Sequence, residues 1–178
     1  MYNEVLRFWF EDIDPKQWWI SDPAFDTLVR DRFAPLLDQA AKGELFDWRQ
    51  DAKGRLAEII VLDQFSRNIH RGTPFAFAQD SMALVLAQEA VKSDLHRALD
   101  QNERVFLLLP YMHSESRKIH VLAERLFRAF TPTDNYDYEL RHKIIIDRFG
   151  RYPHRNAILG RVSTSEEIEF LTQPGSSF

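Results

Sequence analysis

No cysteine occurs anywhere in the chain. Its absence excludes disulfides, a thiolate nucleophile and zinc or iron–sulfur centres held by cysteine. Long apolar runs are missing too. The longest, Val105 to Pro110, falls far short of the ~20 residues a helix needs to cross a bilayer. Met1 to Phe10 shows no basic segment followed by an apolar stretch, so no signal peptide is expected. The expectation is a cytoplasmic protein with no membrane partner. Gly-x-Gly-x-x-Gly, the P-loop, the nucleophile elbow and the kinase motifs do not occur. That argues against Rossmann-type cofactors and against nucleotide hydrolysis by known motifs, and no cofactor is expected. There is no HExxH and no close pair of histidines, so no metal site is assigned.

The 178 residues suit one domain, 1–178, able to bury a substantial core. Aromatics are plentiful, with fourteen Phe and four Trp. Phe8, Trp9, Trp18, Trp19 and Trp48 gather early and read best as core. Charge is unevenly spread. Between Arg141 and Arg161 six Lys/Arg face the single Asp147, a formal +5. Against a total of −4, the rest of the chain then carries −9. One basic segment within an acidic chain of pI about 5.9 argues against a nucleic-acid surface.

Helical spacing recurs and strand alternation hardly appears, which predicts an all-α fold of eight to ten mostly short helices. Asp22-Pro23 opens one that Lys42-Gly43 closes. Pro35 within it should kink or divide it. Another runs from Arg55 to about Arg71. Its stripe begins as Leu56, Ile59, Ile60 and continues as Asp63, Gln64, Arg67, Asn68, Arg71. Either this helix leaves the core for solvent or its end lines a polar cavity. Asp80 should cap a helix to Val91. Val105 to Leu109 should be buried, with Pro110 as stop or kink. Ser114 should cap Glu115 to Ala129. Asp137 to Phe149 should end at a left-handed Gly150. Pro153 should start a short helix, and Ser163 with Glu166 should form a capping box for the last.

Four groupings could carry chemistry. Asp147 to Asn156 sets Arg148, Arg151, His154, Arg155 and Asn156 around a helix stop and a helix start. Helix N-termini and arginine forks attract phosphate or carboxylate. The same arginines could equally form an internal network with the protein's own acids. Asp63 to Arg71 echoes the pattern, reading Asp-x-Phe-x-Arg and then His-Arg, with Arg67, Asn68 and Arg71 as further polar groups. His113 and Glu115 could act as an acid–base pair, or could simply cap adjoining helices. His142 shares a stripe with Tyr138, Ile145 and Phe149, as a core histidine or as support for Arg148.

Leu62-Asp63-Gln64-Phe65-x-Arg67-Asn68, Arg71-Gly72-Thr73-Pro74, His113-Ser114-Glu115 and Arg148-Phe149-Gly150-Arg151-Tyr152-Pro153-His154-Arg155-Asn156-x-Ile158-Leu159-Gly160-Arg161 closely resemble the bacterial domain-of-unknown-function family nine-two-four. The resemblance covers nearly the whole chain. It implies a tetratricopeptide-like array of mostly antiparallel helices and no assigned activity. Ser66 and His120 depart from the family pattern, where Pro and Gln are expected.

The leading reading is a protein, with or without enzymatic activity, whose helix ends form a polar pocket for a small anionic molecule. In it Arg67, Asn68, Arg71, His142, Arg148, Arg151, Arg155 and Asn156 would bind. His113 or His154 would move protons, oriented by Asp63 or Glu115. Two other readings stand beside it: an interaction scaffold with a protein partner, and a metal-dependent hydrolase.

Overall fold

The computed structural model describes residues 2–178. Among them there is no strand, and the chain is all-α. Helix α1 (Tyr2–Arg7) widens into a π-helical turn, Phe8–Asp12, and α2 spans Pro23–Ala41. α3 (Ala52–Ile60) continues through a second π turn, Val61–Phe65, into α4 (Ser66–Ile69). Then follow α5 (Asp80–Lys92), α6 (Gln101–Met112), α7 (Arg117–Phe130), α8 (Thr133–Phe149) and α9 (Ser165–Leu171). Short 3-10 turns fill several connections, among them Pro74–Phe77 and Pro153–Arg155.

α3 is the hub. Leu56, Ala57, Ile59 and Ile60 are wholly buried, because this half of the helix is apolar nearly all round and has little face to give to water. It packs against α1, α5 and α6, and the apolar run Val105 to Leu109 of α6 is buried as its pattern predicts. Trp9 meets Phe65 and Phe106 edge-on at 5.6 and 5.5 Å. The early aromatics are therefore mostly core, although Trp19 is 57% exposed. α6, α7 and α8 pack side by side in sequence, as short connections require.

Several helix ends fall elsewhere than the sequence predicts. α2 runs unbroken through Pro35, which lies on its exposed face, where the carbonyl left without an N–H partner can be solvated. α6 passes Pro110 and ends two residues later. Ser116, not Ser114, stands at the start of α7. The final capping box is Thr164 with Glu167, one residue on from the predicted pair. Asp80 occupies the first turn of α5 and caps nothing, since its carboxylate faces two arginines instead. α8 begins four residues early, at Thr133. It ends as predicted at Gly150, with φ +71°.

The stripe that turns from oily to polar stays mostly inside the protein, where its polar groups pair with one another and with Asp26 and Asp80. Asp63, Gln64 and Asn68 are all buried. The π turn is where the change happens, and such single-turn bulges recur at functional sites. Ser66 lets the helix continue past Phe65 into α4.

Gly54 marks the tightest approach in the core. A Cβ there would lie 2.0 Å from the Trp48 carbonyl oxygen. Gly54→Ala is therefore expected to destabilise by about 3 kcal/mol through overpacking, although helix propensity alone would favour alanine. The urea midpoint measures it.

Candidate functional site

A cleft of about 310 Å³ opens where four segments meet. Asp80 and the 3-10 turn at Phe77 form one side, and the turn His113-Ser114-Glu115 another. Arg155, from the short turn after Pro153, completes it. Behind His113 lies the π turn with Asp63, and one helical turn on comes Arg67.

Asp63 is completely buried and organises this wall. His113 Nδ1 lies 2.8 Å from its Oδ1, Arg67 Nη1 lies 3.0 Å from the same oxygen, and Gln64 Nε2 donates to Oδ2 at 2.5 Å. Burial acts to raise the Asp63 carboxyl, but Arg67 and His113 outweigh it and hold the group well below the usual carboxylate range. An ionised Asp63 accepts the Nδ1–H of His113, which leaves Nε2 as the basic nitrogen. Nε2 makes no hydrogen bond among the described residues, and the ring lines the cleft. Burial, then Arg67, lower the His113 pKa, with Asp63 opposing, so the imidazole is neutral near pH 7.

Asp80 serves two arginines. Arg67 forks onto it at 3.0 and 3.2 Å, and Arg155 Nη1 donates to Oδ2 at 3.2 Å. The Arg155 guanidinium lies over Phe77 and Tyr152, 4.5 and 4.7 Å from the ring centres. Burial, then the Arg67 charge, lower the Arg155 pKa, which marks a cation short of compensation. Among the described residues its buried Nε has no partner and its Nη2 makes no hydrogen bond. Glu115 is held by Arg161 at 2.5 and 2.9 Å and accepts the Tyr152 N–H at 2.8 Å.

The structure brings together Asp63, Arg67, His113, Glu115 and Arg155 of the predicted set. It places the others around them. Arg148 pairs with Glu166 at 2.8 Å on the surface. Arg151 forks onto Glu167 at 2.6 and 2.7 Å. Asn68 and Arg71 both bind Asp26 of α2. Asn156 donates to Ser163 Oγ at 3.1 Å. His142 donates Nδ1–H to the Tyr138 carbonyl at 2.7 Å and stacks on Phe178. His154 sits 5.6 Å from the Tyr152 ring, with its Nδ1 buried and unpartnered. Burial lowers the pKa of His142 to about 3 and, with Arg155, that of His154 to about 4. Among the described residues no three His, Asp or Glu side chains are grouped to hold a metal ion, and no helix is long and apolar enough to cross a membrane.

Sequence reasoning missed Asp80, read as a cap, and Tyr152 and Arg161 as parts of the site. Asp80 carried no motif. Tyr152 lay inside the most distinctive stretch but among charges that drew attention first.

A family model described as "Bacterial protein of unknown function (DUF924)" matches residues 5–175. A solved structure titled "Structure of Protein of Unknown Function ATU0120 from Agrobacterium tumefaciens" is similar over 96% of each chain, at 36% identity and a TM-score of 0.90. No curated protein matches.

Proposed function

For this chain, which belongs to the bacterial DUF924 family of unknown function, we propose a cleft that binds a small anionic ligand and exchanges a proton with it through His113. One observation carries the reading: an imidazole whose Nδ1 is fixed by buried Asp63, with Nε2 making no hydrogen bond among the described residues, in a cleft that Arg155 also lines. A carboxylate that fixes one ring nitrogen and leaves the other basic is the arrangement a general base needs. Arg155 Nη2 supplies a donor for a carboxylate or phosphate oxygen. Glu115, locked by Arg161, shapes the floor rather than moving protons. About 310 Å³ lies at the small end of ligand pockets, roughly 300–1,000 Å³, so the ligand is a metabolite-sized molecule. Arg148 and Arg151 are already satisfied by Glu166 and Glu167 and have no direct part in it.

A thermal-shift series with small carboxylates and phosphates tests the reading. A true ligand at a hundred times its dissociation constant stabilises by about 2.7 kcal/mol. That gain is expected to vanish in Arg155→Gln and to persist in Arg151→Ala. Stabilisation that survives Arg155→Gln, or its absence across the whole series, overturns the proposal.

A further inference from the structure

We infer that Glu139, His120 and Tyr152 are positioning residues that fix the His113 turn by holding the backbone carbonyls on either side of it. The inference rests on the reading of His113 as the proton-exchanging group. None of the three lines the cleft. Tyr152 Oη donates to the Met112 carbonyl at 2.5 Å, and His120 Nε2 reaches the Ser114 carbonyl at 2.8 Å. Met112 and Ser114 flank His113. The same His120 Nε2 lies 3.2 Å from Tyr152 Oη, and His120 Nδ1 lies 2.8 Å from Glu139 Oε1. One turn is thus gripped from α7, from α8 and from the segment after α8.

The last carbonyls of a helix have no partner within it, and water or a local cap usually supplies one. Here Met112, the last residue of α6, is served by a side chain forty positions away. His120 and Glu139 are completely buried and Tyr152 is 1% exposed, so the grip is rigid and dry.

The proton positions follow from which atoms can only accept. Both carbonyls accept. The Tyr152 hydroxyl proton therefore goes to Met112, and His120 Nε2 carries a proton towards Ser114. Nδ1 can then accept from Glu139 if that carboxyl is protonated. The other arrangement puts an imidazolium beside a carboxylate whose Oε2 is buried without a partner, two charges in a dry site. The geometry assigns the proton to Glu139. Burial, which raises the Glu139 carboxyl against the pull of His120, agrees. Lys143 and Glu124 also act on it, in opposite directions.

Imidazole nitrogen NMR on the full chain tests this without any ligand. In wild type His113 should show the Nδ1–H tautomer. Tyr152→Phe and His120→Leu each release one carbonyl. Each is expected to change the His113 acid constant by roughly tenfold, or to mix its tautomers. His120→Gln still donates to Ser114 and accepts from Glu139, so it should rescue the wild-type titration. Glu139→Gln donates an amide N–H in place of the acid proton and should leave His113 unchanged. A wild-type His113 titration in folded Tyr152→Phe overturns the positioning role, whether or not His120→Leu folds. A disturbed titration in Glu139→Gln overturns the protonated acid. A ligand series that fails while these signals appear as stated overturns the function and not the positioning.

Discussion

Asp63→Asn is expected to lower stability by about 3–5 kcal/mol in urea unfolding, the range for removing one member of a buried ion pair. The side chain keeps its size, so no cavity contributes. What disappears is the charge that compensates Arg67 and orients His113 at 3.0 and 2.8 Å. Arg67 retains its fork onto Asp80, which places the loss nearer 3 than 5. A second effect separates this position from ordinary core residues. Without the carboxylate, His113 is free to carry its proton on Nε2, and the basic nitrogen then no longer faces the cleft. Both losses should appear together, one by denaturant midpoint and one by imidazole NMR. Arg148→Ala is the contrast. Its partner Glu166 is 60% exposed and its own side chain 47%, so the change should be under about 1 kcal/mol. An Asp63→Asn protein as stable as wild type would remove Asp63 from the centre of this wall.

Acid should unfold the protein early, through histidines rather than carboxylates. His142 titrates at about 3 in the fold and His154 at about 4, against 6.5 in an open chain. Below pH 6.5 the unfolded state therefore binds more protons, and stability falls as pH drops. The contribution is fully present above 6.5 and is lost by the folded values of about 3 and 4. For His142 the slope is about 1.4 kcal/mol per pH unit across that window. His154 is less deeply buried and gives less. His142 is costly to charge because its ring lies flat on Phe178, 3.7 Å between centres, and edge-on to Tyr152. Asp63 is lowered too, but from a carboxylate's starting value and because Arg67 and His113 favour its charged form. Its carboxyl is held below the usual range, so its contribution survives until stronger acid. His142→Gln removes the titration and should flatten the acid limb by about 1.4 kcal/mol per pH unit. An unchanged limb would place the acid sensitivity elsewhere.

Much of the site was legible as residue types and little of it as pairings. His113, Asp63, Arg67, Glu115 and Arg155 are named by local pattern alone: polar residues interrupting an apolar stripe, or crowding a helix end. Their partners are not. Asp80 lies 75 positions from Arg155 and 13 from Arg67, and no spacing rule connects a carboxylate to guanidiniums on other elements. Arg148, Arg151 and Arg155 look alike in sequence, yet two pair with acids of α9, exposed Glu166 and buried Glu167, and one lines the cleft. His120 stands out in sequence only as a departure from a family pattern. Its role depends on Ser114, Glu139 and Tyr152 meeting in space.

By itself the sequence determined what short-range physics determines. Apolar residues at helical spacing gave an all-α chain, the apolar runs at Leu56 to Leu62 and Val105 to Leu109 gave the core, and Gly150 gave a left-handed stop. The same local pattern located the polar end of the α3–α4 helix. Tertiary structure decided the rest, for a physical reason. Charges and hydrogen bonds act through a few ångströms of space and are indifferent to separation along the chain. Which carboxylate each arginine of Asp147 to Asn156 met was therefore decided residue by residue through packing: Arg148 and Arg151 found Glu166 and Glu167, and Arg155 shares Asp80 with Arg67.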